Sequence, residues 1–262
     1  MATKHFENGI VSTSSGGDSI ISSDIFTTGV VTWVDSVNGN DSNAGTEESP
    51  LATLSAAITA ATASNGDIII LKAGHSETLT SSLSLSKAGL HIFGLGSAST
   101  KPSFTVNGNV DMFSIGAAYV WLYNLRFPAG TNAHTARINC DAANIRIENC
   151  DFICGANDLE SITVTANADH LEVVGSTFTV SADGPDAAIE VEAVMDGLKV
   201  NNCTFDGGSY GFDAGAINSA VAHVNYRYIN CTLTNYADIS HTDAAKGIVS
   251  GVVAGDGSHV EV

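Results

Sequence analysis

The chain has 262 residues and a formal net charge of −18, because its 28 acidic residues outnumber its 10 basic ones. A nucleic-acid-binding surface needs a basic footprint, and an anionic membrane would repel so acidic a chain, so the composition argues against both partners. Apolar residues make up 44% of the sequence, but no run approaches the roughly 18–20 residues of a membrane span. The first residues also lack the apolar run of a signal peptide, which predicts synthesis and folding in a cytoplasm.

The first 64 residues contain an arm and a capping helix. Residues 1–32 are rich in Ser, Thr and Gly without periodicity, which predicts an N-terminal arm. Residues 49–64 predict a helix, because Ser49 is a suitable N-cap and Pro50 suits the first helical position. One apolar stripe follows at helical spacing: Leu51, Leu54, Ile58 and Ala61. Such a helix would cover the end of a stacked-strand fold, where backbone groups would otherwise be exposed.

Oxygen-bearing side chains are closely spaced between the arm and the helix. They are Asp35, Asn38, Asn40, Asp41 and Asn43. Carboxylate and amide oxygens are the ligands that Ca²⁺ prefers, so these residues are candidate calcium ligands. Their spacing matches no complete calcium-loop pattern, and a hydrogen-bonded network of Asn, Asp and Gly turns is the alternative. No other metal site and no cofactor is predicted.

An internal repeat runs from residue 120 to residue 233. Five eight-residue segments align without gaps, and their first positions are 25, 26, 27 and 28 residues apart: 120–127, 145–152, 171–178, 198–205 and 226–233. The first and third positions are apolar, as in a strand with one buried face. The apolar phase then changes, so the chain bends at the fifth position, occupied by Asn124, Asn149, Gly175, Asn202 and Asn230. Asn and Gly accept the left-handed backbone conformation that a sharp bend requires.

The repeat predicts files of equivalent side chains in successive coils. The eighth position gives an inward, largely aromatic file, Phe127, Phe152, Phe178, Phe205 and Leu233. The second position gives an outward file with alternating charges, Trp121, Arg146, Glu172, Lys199 and Arg227. A small-residue file beside the bend includes Cys150, Cys203 and Cys231, predicted to be packed, reduced thiols. A second strand advances in step through Phe113, Ile138, Val164, Val191 and Ile217.

Two strand files that advance together define a coil. The sequence therefore predicts an all-β fold, a right-handed, single-stranded parallel β-helix of about seven rungs over residues 33–235, with the capping helix at one end. Residues 236–262, a Gly-rich segment with short apolar runs, are predicted to form a C-terminal tail. Arm and tail are expected either to lie on another surface or subunit or to be frayed termini.

The segment from Trp33 to Leu71 carries a resemblance to a known superfamily. It reads WVDSVNGNDSNAGTEESPLATLSAAITAATASNGDIIIL. This order of a strand, an Asn/Asp/Gly loop, "SP-x-A-T" entering a helix and then "GD-I" is similar to the N-terminal stretch of pectate-lyase-like right-handed β-helix proteins. The superfamily includes lyases, hydrolases, epimerases, phage tailspikes and non-catalytic virion proteins, so the resemblance implies a fold rather than an activity.

The residues that the superfamily's enzymes would need are sparse. A pectate-lyase-type reaction requires clustered acidic calcium ligands beside a basic residue, but the chain has four arginines: Arg126, Arg137, Arg146 and Arg227. Arg126 shares its file with Asp151 and three threonines, which indicates a solvated face. The polygalacturonase signatures Asn-Thr-Asp, Asp-Asp, Gly-His-Gly and Arg-Ile-Lys are absent. A carboxylate pair for glycoside hydrolysis would have to come from predicted turns, at Asp183, Asp186, Asp206 and Asp213.

The histidines form no recognisable catalytic motif. Five of the eight are predicted to be loop or surface residues: His75, His134, His170, His223 and His241. With no acid, base or metal ligand set in a recognisable arrangement, no catalytic residue is predicted and the chain is not expected to be an enzyme.

Two functions fit these observations. The first is a structural, non-catalytic bacteriophage virion protein that decorates the head surface and binds other virion proteins, above all the major capsid protein. Its location would be the virion, and the resemblance implies a homotrimer. The alternative is a glycan-binding or glycan-degrading β-helix protein, such as a tailspike, polysaccharide lyase or hydrolase. Its sugar-stacking aromatics would be Trp121, Tyr123 and Tyr210.

Overall fold

The computed structural model describes residues 5–6, 9–10, 29–129, 134–155, 158–181, 187–209, 215–219, 221, 224–235, 239–241 and 246–254. Within these residues the chain consists of short strands joined by turns, with one α-helix and one 3₁₀ turn. None of the helices in this part of the chain is long and apolar enough to cross a membrane.

The elements follow one another in a regular order. The first part of the chain contains β1 (His5–Phe6), β2 (Gly9–Ile10), β3 (Val31–Val34), α1 (Leu54–Ala60), β4 (Ile68–Leu71), β5 (Ser76–Leu79), β6 (Leu83–Leu85), β7 (His91–Gly94), the 3₁₀ turn Ala98–Thr100, β8 (Ser103–Val106), β9 (Phe113–Ile115), β10 (Trp121–Tyr123), β11 (Arg126–Phe127) and β12 (His134–Cys140). The second part contains β13 (Arg146–Glu148), β14 (Asp151–Cys154), β15 (Asp158–Val164), β16 (Glu172–Val174), β17 (Thr177–Val180), β18 (Ala187–Val191), β19 (Lys199–Asn201), β20 (Thr204–Asp206), β21 (Gly215–Ser219), β22 (Val224–Ile229), β23 (Thr232–Thr234), β24 (Ile239–His241), β25 (Lys246–Ser250) and β26 (Val253–Ala254).

Three parallel sheets run along the stack. Sheet 1 contains β3, β4, β7, β10, β13, β16, β19, β22 and β25. Sheet 2 contains β5, β8, β11, β14, β17, β20, β23 and β26, and sheet 3 contains β6, β9, β12, β15, β18, β21 and β24. From β4 to β24 each coil contributes one strand to each sheet in turn, so these strands pair in parallel with their equivalents in neighbouring coils. β1 and β2 pair antiparallel with each other, outside the three sheets. The predicted fold class, an all-β parallel β-helix, is confirmed.

The β-helix is longer than its predicted bounds. Because the sheets have nine, eight and seven strands, sheet 1 exceeds the expected count of about seven rungs. Its first strand, β3, begins at Val31, inside the predicted arm 1–32. Strands β24, β25 and β26 lie in the predicted tail 236–262 and pair in parallel with β21, β22 and β23. The short apolar runs of that segment therefore continue the coil.

The aromatic file at the centre of the stack has the predicted arrangement. The ring centroids of Phe127 and Phe152 are 4.9 Å apart, those of Phe152 and Phe178 4.7 Å, and those of Phe178 and Phe205 4.9 Å. The planes of neighbouring rings differ by 10°, 3° and 9°. These separations match the roughly 4.8 Å distance between neighbouring strands, so the rings stack because the backbones do. All four rings are buried.

The turn from sheet 1 to sheet 2 uses the left-handed residues that the repeat predicts. Their φ angles lie between 52° and 60° at Asn124, Asn149, Gly175, Asn202 and Asn230. The backbone N–H of Asn149 donates to the carbonyl of Val174 in the following coil at 2.9 Å, whereas that of Arg146 in the adjoining strand donates to Val120 in the preceding coil. The Asn149 side chain also donates to the Asn124 side-chain oxygen at 2.9 Å. The bend therefore keeps neighbouring coils hydrogen-bonded where the strand ends.

A second corner, where the chain enters sheet 1, also uses residues in the left-handed backbone conformation. This corner was not predicted from the sequence. Its left-handed residues are Ser64, Gly89, Tyr119, Asn144, His170, Gly197 and Asn225. The N–H of His170, for example, donates to the carbonyl of Asp196 in the next coil at 2.7 Å. The residue types vary so much along this file that no sequence pattern marks it.

One predicted file mixed two registers. Phe113 and Ile138 are aligned as expected, but the next aligned residues are Ile162 and Ile189 rather than Val164 and Val191. The two valines belong to a parallel file with Ile115 and Cys140. Both files point inward and are apolar, so the sequence pattern cannot distinguish two alignments that differ by two residues along the strand.

The capping helix is shorter than predicted and begins later. It comprises Leu54–Ala60, and the N-cap is Thr53, whose side chain accepts from the Ala56 N–H, rather than Ser49. Residues 49–52 are not helical because Leu51 bridges in parallel to Val34, and its N–H donates to the Trp33 carbonyl at 2.9 Å. The predicted range 49–64 is therefore wrong at both ends, although the apolar stripe is buried as expected.

Gly175 offers a test of the first corner. A Cβ at Gly175 would meet no atom within 4 Å, so a substitution there changes the backbone preference and not the packing. We expect Gly175→Asn, which restores the residue of the other coils, to leave stability nearly unchanged. Gly175→Val should lower the free energy of unfolding by roughly 1–2 kcal/mol relative to Gly175→Asn, because a β-branched residue is strained at positive φ. Denaturant titration measures both, and equal stabilities would contradict this account of the corner.

Candidate functional site

The candidate calcium ligand Asp35 is engaged by protein donors. Its side chain is buried and accepts from the N–H groups of Val37 and Asn38 at 2.9 and 3.2 Å and from the Asn38 amide at 3.1 Å. Burial raises the pKa of Asp35, but these hydrogen bonds outweigh it and hold the pKa below its usual value. Its carboxylate oxygens thus serve a tight turn.

The other candidate ligands form hydrogen bonds within the same loop and between the loop and the segment that leads into the helix. Asp41 accepts from the N–H groups of Ala52 and Thr53, both at 2.9 Å, and from the Thr53 hydroxyl at 3.0 Å. Asn40 accepts from the Ser42 N–H at 2.9 Å. Asn43 uses its amide to donate to the Pro50 carbonyl at 2.8 Å. These contacts are those of a turn network, the alternative that the sequence left open.

Within the described ranges, no group of three or more His, Cys, Asp or Glu side chains is placed to hold a metal ion. Asp35 and Asp41 each direct their oxygens at different donors, in a turn and at the helix N-terminus respectively. The loop therefore has the geometry of a structural element.

His75 does not lie on the surface as predicted but is buried at the centre of a polar contact. Its Nδ1 accepts from the Ser36 N–H at 3.0 Å, which leaves Nε2 protonated and 2.7 Å from Glu77 Oε1. The same Glu77 oxygen accepts from the Leu54 N–H, the first free N–H of α1, at 2.6 Å. No sequence pattern predicts this link, because it joins three segments far apart in the chain.

Asp67 is a second buried carboxylate that the sequence analysis overlooked. It accepts from the N–H groups of Val30 and Thr62 and from the Asn65 amide, all at 2.7 Å. It therefore joins the start of β3 to the end of α1. Burial raises its pKa, but the three hydrogen bonds more than offset this and lower it.

The aromatic candidates Trp121 and Tyr123 lie together on the outside of sheet 1. In its first eight strands, β3 to β22, alternate residues point outward and are aligned in two files. The first file is Val31, Ile68, His91, Trp121, Arg146, Glu172, Lys199 and Arg227. The second is Trp33, Ile70, Phe93, Tyr123, Glu148, Val174, Asn201 and Ile229. We call these sixteen residues the sheet 1 outer face.

The first four strands of the sheet 1 outer face carry an apolar cluster separate from the interior core. Ile68, Ile70 and Phe93 are buried there beneath partly exposed side chains, Trp33, Leu95, Trp121 and Tyr123. Phe93 meets Trp121 and Tyr123 edge to face, with centroid distances of 4.9 and 5.8 Å. The repeat alone does not predict this cluster, because Tyr123 and Phe93 lie in a second outward file beside that of Trp121.

The remaining strands of this face carry the predicted charged file. Glu172 accepts from Arg146 at 2.9 Å and from Lys199 at 2.6 Å, so one carboxylate joins three coils. Burial raises the pKa of Glu172, but these two cations outweigh burial and lower it. The Arg146 guanidinium also lies 5.4 Å from the centre of the Trp121 ring, where the charged and aromatic parts meet.

The outside of sheet 2 is a file of polar side chains, as expected for a solvated face. Arg126, Asp151, Thr177, Thr204 and Thr232 are aligned in register. Lys101 is buried beside this file and donates to Asp151 Oδ1 and to the Asn149 carbonyl, both at 2.8 Å. Asp206, at the end of β20, accepts from Asn235 at 2.7 Å and from the Gly208 N–H at 3.0 Å, which lowers its pKa.

Sheet 3 presents a row of polar residues outward that no sequence motif had marked. Asn139, Thr163, Glu190 and Asn218 are aligned, and Asn218 donates to Glu190 at 2.7 Å. The Thr163 hydroxyl is buried and has no hydrogen-bond partner among the described residues. The row itself contains one carboxylate, Glu190, and the Asp111 carboxylate accepts from Asn139 at 3.4 Å.

All five cysteines are buried as thiols. Cys150, Cys203 and Cys231 lie in the inward file that the repeat predicts, and burial raises the pKa of Cys150 to about 12. A thiol whose pKa lies so far above neutral pH stays protonated at that pH and is a weak nucleophile. This fits a packing role for Cys150.

Several predicted candidates fall outside the described residues. Asp183, Asp186, Asp213, Tyr210 and His223 are among them. For His134 and His241 only the backbone is described. His170 occupies a left-handed position of the second corner.

Comparison with known proteins places the fold. No protein-family model matches the sequence, and no curated protein matches it. Among solved structures, the chain is similar to the pectate lyase Pel9A, with 15% identity, a TM-score of 0.57 and coverage of 91% of this chain and 74% of that one. It is also similar to Escherichia coli ybhc, with 14% identity, a TM-score of 0.59 and coverage of 93% and 77%.

A pectin methylesterase from Aspergillus niger matches with 13% identity, a TM-score of 0.54 and coverage of 88% of this chain and 87% of that chain. The chain thus has the parallel β-helix fold of pectate lyase and other β-helix proteins, as the segment Trp33–Leu71 had suggested. At identities of this size the likeness shows the fold alone.

The turn network predicts how the protein responds to calcium. Because Asp35 and Asp41 already accept several hydrogen bonds each, we expect neither added calcium nor a chelator to shift the thermal midpoint. Asp41→Ala should instead lower the free energy of unfolding by roughly 1–2 kcal/mol, because it removes three hydrogen bonds between a carboxylate and the two residues that precede α1. A calcium-dependent rise in the midpoint that Asp41→Ala abolishes would show that the loop binds the ion.

The lowered carboxyl pKa values predict loss of stability in acid. Asp67 and Asp206 have folded-state pKa values below the usual 3.8, so their stabilising effect is fully present above that pH. As the pH falls through the folded-state pKa values, the carboxylates bind protons and the effect is lost. Urea titrations from pH 6 to pH 2 should show stability decreasing below about pH 4, less steeply in Asp67→Asn. Equal slopes for the variant and the wild type would contradict the role given to Asp67.

Proposed function

We propose that this chain is a structural, non-catalytic bacteriophage virion protein that decorates the head surface. The observation that carries the proposal is the use of its carboxylates. Those of Asp41, Glu77, Asp151 and Glu172 each accept from donors in another coil or loop. A hydrolase or lyase instead directs carboxylates into a groove, where substrate or metal supplies the donors.

The architecture also suits a protein with a structural role in a particle. Neighbouring coils are joined by strand hydrogen bonds and, between residues 119 and 205, also by both corners and by the stacked interior file. A repetitive stack of this kind is an elongated, stiff body whose surface can vary without loss of the core. Such a body can reinforce a particle surface.

The remaining parts of the proposal concern its assembly. The protein would be made in the host cytoplasm, join the virion as a homotrimer and bind other virion proteins, with the major capsid protein as the main partner. No nucleic-acid or membrane contact is proposed, because the formal charge of −18 opposes both.

A glycan-binding or glycan-degrading β-helix protein is the second candidate. What favours it is the gathering of Trp33, Trp121 and Tyr123 on one outer face, since sugars stack on aromatic rings. Two of the similar structures are named a pectate lyase and a pectin methylesterase. Against it, Phe93 and Arg146 already contact the Trp121 ring, which reduces the area that a sugar could cover.

Purified particles of the phage that encodes the chain provide the test. We expect mass spectrometry to find the polypeptide in stoichiometric amounts relative to the major capsid protein, and immunogold labelling to mark the head. The purified protein should not shorten acidic polysaccharides, with an active pectate lyase as the positive control. Absence from the particles, or prompt cleavage of a glycan, would overturn the proposal.

A further inference from the structure

The sheet 1 outer face differs in composition from the rest of the molecule. The chain has two tryptophans, and both of them, Trp33 and Trp121, lie on this face. It also carries Phe93, Tyr123 and two of the four arginines. Trp, Tyr, Phe and Arg are the residues enriched at protein–protein interfaces, where they account for most of the binding energy.

Its charge is equally distinct. The outward positions hold three basic residues, Arg146, Lys199 and Arg227, and two acidic ones, Glu148 and Glu172. The formal charge of the face is therefore +1, which leaves −19 for the rest of a chain whose total is −18. Two copies of so acidic a protein repel each other over most of their surfaces. The electrostatic repulsion between two copies is smallest when they approach with this face of each copy toward the other.

Two polar atoms on the face lack a hydrogen-bond partner within the described part of the chain. The Trp121 indole N–H and the Asn201 side-chain oxygen are buried and have no hydrogen-bond partner among the described residues. Unsatisfied buried groups are uncommon in folded proteins because each loses its hydrogen bonds to water without replacement. Small side-chain shifts against a second surface would let both find partners.

The packing of the rings argues for a protein partner over a sugar. Phe93 is 2% exposed, and the Trp121 ring contacts Phe93 edge to face and the Arg146 guanidinium. The face therefore presents an apolar surface bordered by charges, rather than an aromatic ring with a free plane on which a sugar could stack. The eight strands that form it span about 34 Å along the stack, a length suited to side-by-side contact of two rods.

We infer that copies of this chain pack against one another through the sheet 1 outer face. This inference rests on the homo-oligomer of the proposed function and names the surface that forms it. The aromatic cluster supplies the buried centre of the interface, and Arg146, Glu172 and Lys199 form its polar part.

Tryptophan fluorescence of the full chain tests this directly, because both tryptophans lie on the face. Sedimentation equilibrium should show the wild type as an oligomer that dissociates on dilution, with increased quenching of tryptophan by acrylamide. Tyr123→Arg and Val174→Arg should weaken association at least tenfold while circular dichroism shows a folded β-protein. Thr204→Arg, an exposed site on sheet 2, is the matched control and should associate like the wild type.

The inference is overturned if either arginine variant folds and still associates like the wild type, or if Thr204→Arg weakens association as strongly. A wild type that is monomeric at all concentrations also contradicts it; shielded tryptophans in that monomer would mean that the chain's own residues cover the face. A change in tryptophan emission on adding acidic polysaccharide to such a monomer would assign the face to glycans. Detection of the chain in phage particles is a separate measurement, so the failure of one proposal is distinguishable from failure of the other.

Discussion

Hydrogen bonds between successive coils are the constraint on which the rest of this structure depends. They require the backbone to repeat its path, which it does every 25 to 28 residues between Trp121 and Arg227, and the repeat in turn requires two sharp corners per coil that do not interrupt the ladder. Left-handed residues such as Asn149 and His170 meet this requirement, because their N–H groups turn toward the following coil. Once the coils are in register, the stacked Phe rings and the charged file follow from side-chain alternation.

The sequence predicts the parts of the fold that are periodic in residue type. The Asn/Gly corner and the Phe file are visible because one or two residue types recur in successive coils, and the file from Trp121 to Arg227 is visible because four of its five residues are charged. The second corner is not visible, because the left-handed position is filled by residues as different as Tyr119 and Gly197. The exchange of Val164 for Ile162 has a related cause, since both are apolar and inward.

The non-local polar contacts were beyond sequence reasoning for another reason. His75, Glu77 and the helix N-terminus meet only after the first coil closes, so their spacing in the chain carries no signal. The candidate calcium loop illustrates the same point: its composition suits an ion, but the folded chain supplies N–H donors to the same oxygens. Several carboxylates of this chain hold coils or loops together by accepting such hydrogen bonds. This use of the carboxylates is the reason for the structural role proposed for the protein.

Double-mutant cycles on the Phe file test the stacking of coils most directly. Phe152→Leu and Phe178→Leu remove rings that lie 4.7 Å apart in adjacent coils, whereas Phe127 and Phe205 are separated by two intervening rings. From equilibrium unfolding, we predict an interaction energy of at least about 0.5 kcal/mol for the adjacent pair, and additivity within about 0.5 kcal/mol for the distant pair. Additive effects for Phe152 and Phe178 would contradict the coil register on which the whole account is built.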